Sequence, residues 1–335
     1  MLTGDQLALF EKTMYGVARD AYKREPVMHP QVFDVVDGVT GGGDRFTQLL
    51  GSDRWKEHTV ENEDIDFHSP VQGWQAWVKY RTFSDGVNFS KNAVEDNVKN
   101  GAIGKTLKDY ADTWGETYRN EQEIFGGKIF AFGGATSGNA IYENSWANEA
   151  QTYANLLPDN KPFFNLTGNA RTSKGGNTYY NAISSGSLSP ANFRTMYNLV
   201  ADTNSYNEQD QRIANKPDTL MVGTSDDYLT ARQMLQAEKL PNSQLNDDNP
   251  YKGLVSALYW PFLVWAATDT GFYVGKAKSP LLQWHNRQKP VLEFFRRTEN
   301  RGYRASVDAR WGVLIKPGAW RVWGRTGGRF SSTVS

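Results

Sequence analysis

The clearest hydrophobic pattern lies near the C-terminus of the chain, where apolar and polar residues alternate. From residue 303 to residue 315 every second position is apolar, and the positions between them are mostly polar or small. A period of two predicts a strand with one apolar face. We expect the apolar face of this strand to be buried, with Trp311 as its largest side chain.

A second alternating stretch covers residues 74–83 and follows the turn-forming residues 69–73. A charged run, residues 57–66, stands ahead of that turn. Two such limbs around a turn predict a long hairpin. The first limb is too acidic for a domain core, so we expect the hairpin to project.

Helical periodicity appears in four places. Residues 5–20 carry an apolar stripe, and a longer pattern runs from Val94 to Tyr118, ended by Gly126 and Gly127. Ser189 caps a third helix, and the short apolar strand 219–223 leads to a fourth that is capped by Ser225. The alternation of helix and strand in this last part predicts an α/β lobe.

The composition of the chain excludes several classes of protein. The chain has 335 residues and no cysteine, so neither disulfides nor thiolate metal ligands are available. Its longest apolar stretch is shorter than a membrane span, and no signal peptide is recognisable, so we expect synthesis in the cytoplasm. The net charge is zero, but residues 281–335 carry 11 Lys/Arg and 3 Asp/Glu, which favours association between unlike surfaces.

Candidate catalytic motifs are incomplete. Gly104-Lys105-Thr106 ends like a phosphate-binding loop, but Lys99 stands where that motif requires glycine. The four histidines have no metal-binding spacing, and no Gly-x-Ser-x-Gly elbow presents a nucleophile. We therefore predict no catalytic residue, no cofactor and no metal. The many aromatic residues leave sugar binding by a carbohydrate-active enzyme as an alternative.

Short motifs stand in an ordered series over the segments 159–164, 189–190, 217–222, 249–253, 280–283 and 303–311, together with Asn181, Trp320 and Trp323. This series resembles the major head (capsid) proteins of tailed bacteriophages, of the Mu type. The resemblance implies an α+β, HK97-like capsid fold with an N-terminal arm, an extended hairpin called the E-loop, a peripheral domain with a long spine helix, and an axial α/β domain. The elements predicted above occur in that order. The implied domain map is arm 1–55, E-loop hairpin 56–90, peripheral domain 91–185 with its return strand 291–325, axial domain 186–290 and tail 326–335.

The resemblance implies a subunit that assembles as hexamers and pentamers into an icosahedral head around double-stranded DNA. Its expected partners are copies of itself, scaffold and portal proteins and decoration proteins, and its expected location is the virion capsid after assembly in the host cytoplasm. An encapsulin-like shell is the alternative within the same fold. Some family members crosslink hairpin lysines to asparagines of a neighbour; Lys79 is the candidate lysine here, but no matching asparagine is recognised near the final strand.

Two sets of residues are the candidate sites. The hairpin is expected to contact a neighbouring subunit, because its acidic and aromatic limbs suit the basic C-terminal surface of another copy. These contact residues are Glu61, Glu63, Asp64, Trp74, Trp77 and Lys79. The return strand is expected to pack on the spine helix, and the peripheral core that results contains Leu107, Tyr110, Trp114, Tyr303, Val307 and Trp311.

Overall fold

The computed structural model describes most of the chain, with gaps. The described residues are 4–24, 26–50, 71–92, 105–134, 157, 159, 161–173, 176–184, 186–207, 209–239, 248–264, 271–296 and 302–327. They divide into two units. Unit 1 contains Met1–Gly43, Lys79–Gly126 and Gln283–Val313, and unit 2 contains Asp44–Val78, Gly127–Leu282 and Leu314–Ser335. The predicted map of arm, hairpin, peripheral and axial parts stays a prediction.

The α-helices are α1 (Gly4–Tyr22), α2 (His29–Val32), α3 (Lys105–Ala131), α4 (Pro190–Asn198) and α5 (Ser225–Gln236). The strands are β1 (Phe33–Asp37), β2 (Gly43–Leu50), β3 (Val71–Lys79), β4 (Arg81–Phe89), β5 (Arg171–Thr172), β6 (Thr178–Tyr179), β7 (Ala182–Ile183), β8 (Thr219–Val222), β9 (Ser256–Tyr259), β10 (Phe272–Gly275), β11 (Ser279–Arg296), β12 (Tyr303–Ile315) and β13 (Trp323–Thr326). A π-helical turn, Leu199–Thr203, follows α4, and short 3₁₀ turns cover Thr167–Asn169, Pro261–Leu263 and Ala319–Arg321.

Unit 1 is built on a four-stranded sheet with the order β1-β11-β12-β4. The predicted strand 303–315 is confirmed as β12, and it pairs antiparallel with β4 from Tyr303 opposite Phe89 to Trp311 opposite Arg81. Side chains from α1, α3, β4, β11 and β12 share one buried cluster. The cluster forms because the apolar face of the sheet and the apolar faces of both helices pack against one another and exclude water.

Gly115 brings α1 and α3 into close contact. A Cβ atom at this position would lie 2.1 Å from the backbone oxygen of Ala18 and 2.7 Å from the Cβ of Ala21. The predicted helix 5–20 is confirmed as α1, and its small residues face the glycine of α3. The glycine therefore provides a close helix approach in the middle of α3.

The predicted end of the long helix at Gly126 and Gly127 is wrong, because α3 continues to Ala131. A Cβ atom on Gly127 would lie 2.4 Å from the backbone oxygen of Phe262. This glycine accommodates a neighbouring backbone and does not adopt the left-handed conformation of a helix end. The predicted helical residues 93–104 lie outside the described part of the chain.

Unit 2 contains a five-stranded sheet with the order β7-β13-β10-β8-β9, which packs against α4 and α5. The predicted strand 219–223 is confirmed as β8, all of whose residues are buried. Ser189 caps α4 by accepting a hydrogen bond from the backbone of Asn192, as predicted. The predicted cap Ser225 is wrong by one residue: the Thr224 side chain accepts from the backbone of Asp227.

The predicted hairpin limb 74–83 is divided between two sheets. Residues 71–79 form β3, which pairs with β2, whereas residues 81–89 form β4, which pairs with β12. Tyr80 separates the two strands, and its buried hydroxyl lies 3.0 Å from Nδ1 of His285. The predicted turn 69–73 partly belongs to β3, and the partner of β3 is 43–50. The acidic run 57–66 lies outside the described residues.

Candidate intersubunit surface

The candidate surface is the two-stranded β2–β3 hairpin. Side chains alternate along β3, so Trp74, Ala76 and Val78 share its inner face and Gln75 and Trp77 share its outer face. Ala76 and Val78 are buried. Within the described residues no third strand pairs with this hairpin.

The outer face exposes large apolar side chains. Trp77 is 63% exposed, and Leu49 on β2 is 66% exposed. A tryptophan buries more apolar area than almost any other side chain when a partner covers it. Exposed aromatic side chains of this size are typical of surfaces that contact another protein.

The inner face contacts residues 316–321 of the same unit. Trp74, still 50% exposed, lines an open pocket together with Pro317, Gly318 and Trp320. On β2, the Phe46 ring lies under the Lys316 ammonium, with 4.8 Å between Nζ and the ring centroid. The aromatic side chains of the inner face find partial cover within unit 2. The predicted projection of the hairpin stays a prediction, because residues 51–70 lie outside the described part of the chain.

The remaining predicted contact residues are only partly described. Lys79 is the last residue of β3 and is half-buried. Glu61, Glu63 and Asp64 lie outside the described residues.

Trp311 occupies the centre of the unit 1 core and is 1% exposed. Its ring stacks on Phe83 at a centroid distance of 3.6 Å and meets the edges of Tyr118 and Phe125 of α3. Trp311 thus faces a later part of α3 than Trp114, which clusters with Tyr303 and Ala305 at the other end of the strand. The indole Nε1 of Trp311 is buried without a hydrogen-bond partner among the described residues.

The other predicted core residues lie at the opposite end of the same sheet face. Trp114 and Tyr303 belong to the buried cluster of unit 1, and Val307 packs against it. Tyr110 is 44% exposed, so the prediction that it lies in the core is wrong; its ring meets the Phe89 ring edge-on at the margin of the cluster, with 5.6 Å between the centroids. Leu107 lies in α3, and its side chain is outside the described part.

The second face of the unit 1 sheet is polar. Arg304 and Arg310 of β12 are exposed on it, and the facing residues of β4 are Asn88 and Thr82. The Arg304 Nε donates to the Asn88 side chain over 2.9 Å. This face presents exposed guanidinium groups from the basic C-terminal part of the chain.

Sequence reasoning missed a buried acid that holds the segment after α1. The Oε1 atom of Glu123 accepts hydrogen bonds from the backbone nitrogens of Met28 and His29, at 3.0 and 3.2 Å, and lies 2.8 Å from Nδ1 of His29. The His29 ring also packs on Trp284. His29 and Glu123 are 94 residues apart, so no local sequence signal connects them.

The titration shifts in this region have structural causes. Burial, together with the nearby Glu123 carboxylate, raises the pKa of Tyr22 to about 12. Its hydroxyl donates to the Gln122 side chain over 3.0 Å. Burial also raises the pKa of Tyr118. These are packed side chains on α1 and α3, and neither stands beside a candidate nucleophile.

The described ranges contain neither a metal-binding cluster nor a membrane-spanning helix. No group of three or more His, Cys, Asp or Glu side chains is close enough there to hold a metal ion. No helix in the same ranges is both long and apolar enough to cross a bilayer.

Comparison with known proteins gives a fold likeness without a sequence relative. No family model matches the chain, and no curated protein matches it. Among solved structures, the capsid of the cyanophage P-SCSP1u is similar with a TM-score of 0.52 and 8% identity, over 91% of this chain and 89% of that chain. The capsid of a native GTA particle is similar with the same TM-score and identity, over 91% of each chain. The likeness shows the fold, and the predicted α+β, HK97-like capsid fold is confirmed.

Proposed function

We propose that this chain is the major capsid protein of a tailed bacteriophage. In this proposal, copies of the chain form hexamers and pentamers that close into an icosahedral head around double-stranded DNA. The observation that carries the proposal is a capsid fold extending over about nine-tenths of the chain. The exposed outer face of the β2–β3 hairpin supports it, since a shell subunit needs apolar surface for its neighbours.

Assembly of this kind depends on many weak contacts. A subunit held by several neighbours gains from high effective concentration, so no single contact has to be strong. Weak contacts also allow a misplaced subunit to leave. The two large exposed side chains on the outer face of the hairpin, Trp77 and Leu49, are the apolar part of such a contact.

Charge supports a specific orientation of the hairpin. Its acidic run contains Glu61, Glu63 and Asp64, and the polar face of the unit 1 sheet exposes Arg304 and Arg310. Opposite charges on two surfaces guide encounter and disfavour wrong orientations. We propose that the acidic run of one copy faces these arginines on the next copy.

The remaining partners follow from the proposed role. Scaffold and portal proteins, and in some heads decoration proteins, act on the shell, and the packaged DNA is contacted without sequence specificity. The role is structural and requires no catalytic residue, cofactor or metal. The location is the virion capsid, after assembly in the host cytoplasm. An encapsulin-like shell with the same fold would lack packaged DNA and tail partners.

Purified protein tests the proposal by sedimentation and negative-stain microscopy. The parent chain should form closed particles tens of nanometres across. A variant lacking residues 60–72 should remain a soluble subunit that no longer closes shells. The matched control is Arg232→Ala on exposed α5, which should assemble like the parent. Normal shells from the deletion variant would contradict the hairpin's role, and a hydrolytically active monomer would contradict the capsid function.

A further inference from the structure

The two faces of the β2–β3 hairpin have different surroundings. On the inner face, Phe46 contacts Lys316, and Trp74 lines a pocket together with Pro317, Gly318 and Trp320 of unit 2. On the outer face, Trp77 remains mostly exposed. Residues 74 and 77 point to opposite faces of β3, so a partner that covers both tryptophans must reach both faces of the hairpin. In the described position of the hairpin, the Trp74 side chain is therefore half covered, whereas the Trp77 side chain is mostly exposed.

The inner contact is loosely packed. A pocket stays open between Trp74 and the segment that contains Pro317, Gly318 and Trp320, and half of the Trp74 side chain is still exposed. Side chains that border a void lose the dispersion contacts that a filled interior would give. The Lys316 contact with Phe46 is a cation–π interaction near solvent, which is a weak class of contact. The contacts between the inner face of the hairpin and residues 316–321 are thus few and weak.

We propose that this is a docked position of the free subunit, and that residues 316–321 form an autoinhibitory contact which the hairpin leaves when the shell assembles. This inference rests on the proposed capsid function. A neighbouring copy can displace the hairpin only if it offers more contact than residues 316–321 do. Covering Trp77 and the free half of Trp74 together would provide that surplus of apolar burial.

The docked position lowers the fraction of subunits that are ready to assemble. The apparent affinity between copies falls in proportion to that fraction. Loss of one exposed cation–π contact shifts such an equilibrium by about two- to fivefold. The Lys316→Met variant, which keeps the length of the side chain and removes its charge, should therefore form particles at a two- to fivefold lower protein concentration.

Reversible crosslinking tests the docked position directly. The chain has no cysteine, so the double variant Phe46→Cys with Lys316→Cys introduces the only two thiols. A bismaleimide whose spacer contains a reducible disulfide should join them in the free subunit. Joined subunits should form no particles, and reduction of the spacer should restore assembly. The control pair, Trp77→Cys with Lys316→Cys, should crosslink poorly because Trp77 is on the other face of β3.

The outcomes separate this inference from the proposed function. Joined subunits that assemble as well as unjoined ones would overturn it. So would a crosslinking yield no higher than that of the control pair, or a Lys316→Met variant that needs as much protein as the parent. A parent chain that forms no particles would overturn the capsid function, whereas the crosslinking yield in the free subunit tests the docked position without reference to assembly.

Discussion

Strand β12 and strand β3 carry the same kind of sequence pattern, but they have opposite surroundings. Trp311 of β12 is completely enclosed, whereas Trp77 of β3 is mostly exposed. β12 has a strand on each side and the side chains of α3 over one face, while β3 has only β2 beside it among the described strands. The alternating pattern therefore locates the face that the chain itself buries, as at Ala76 and Val78 of β3, whereas a large apolar side chain on the other face, such as Trp77, stays exposed in the subunit.

The largest effect is expected at Trp311, on the enclosed side of this comparison. Trp311→Ala removes the ring between Phe83, Tyr118 and Phe125 and should lower the free energy of unfolding by about 3–5 kcal/mol. Chemical denaturation measures this loss. Arg310→Ala, on the polar face of the same strand, should change it by less than about 0.5 kcal/mol. Equal stability of both variants would show that β12 does not close the core.

A smaller effect is expected where α1 meets α3. Gly115→Ala puts a methyl group against the Ala18 backbone, which should destabilise unit 1 by about 1–3 kcal/mol. The matched control is Gly16→Ala on α1, where no atom beyond its chain neighbours and the backbone of its own helix lies within 4 Å of the added carbon. That control should stabilise the protein by about 0.5–1 kcal/mol through higher helix propensity. Thermal unfolding of both variants distinguishes close packing from propensity, and a stable Gly115→Ala would contradict the packing.

Tyr22 gives an effect that depends on pH. Its pKa is raised to about 12 in the folded protein, above the ordinary value near 10, so the folded state favours the neutral phenol. The stabilisation is present below pH 10 and is lost as the pH rises toward 12. Tyr22→Phe should cost about 0.5–1.5 kcal/mol at neutral pH, by loss of the bond to Gln122, and should flatten the alkaline decline. An unchanged alkaline profile would contradict this assignment.

The smallest effect on stability is expected at Trp77, on the exposed side of the comparison. Trp77→Ala should change the free energy of unfolding by less than about 0.5 kcal/mol, because no described residue of the chain encloses the ring. It should nevertheless reduce particle formation strongly, as seen by sedimentation. The comparison fails if Trp77→Ala unfolds the subunit, or if it assembles like the parent.

Local sequence patterns were sufficient to predict the elements whose residues interact with their near neighbours in sequence. The Ser189 cap, the apolar strand β8 and the alternation of β12 were all predictable, since each depends on spacing within a few positions. Gly127 misled the prediction of the helix end, because a glycine that ends a helix and one that admits the Phe262 backbone look identical in sequence.

The candidate site was predictable only in part. The aromatic limb of the hairpin was recognisable from Trp74 and Trp77, but its division at Tyr80 depends on His285, which is 205 residues away. The Glu123 contact with the segment after α1 was missed for the same reason. Contacts between distant parts of a chain leave no periodic signal in the sequence. The same is true of a contact in which another molecule covers an exposed face.

The most direct test of the account is a cryo-electron microscopy map of whatever the purified chain forms. The account predicts closed shells in which Trp311 is enclosed within its own subunit and Trp77 is covered by a neighbouring copy. A lone subunit of 37.7 kDa, or shells in which Trp77 still faces solvent, would contradict it.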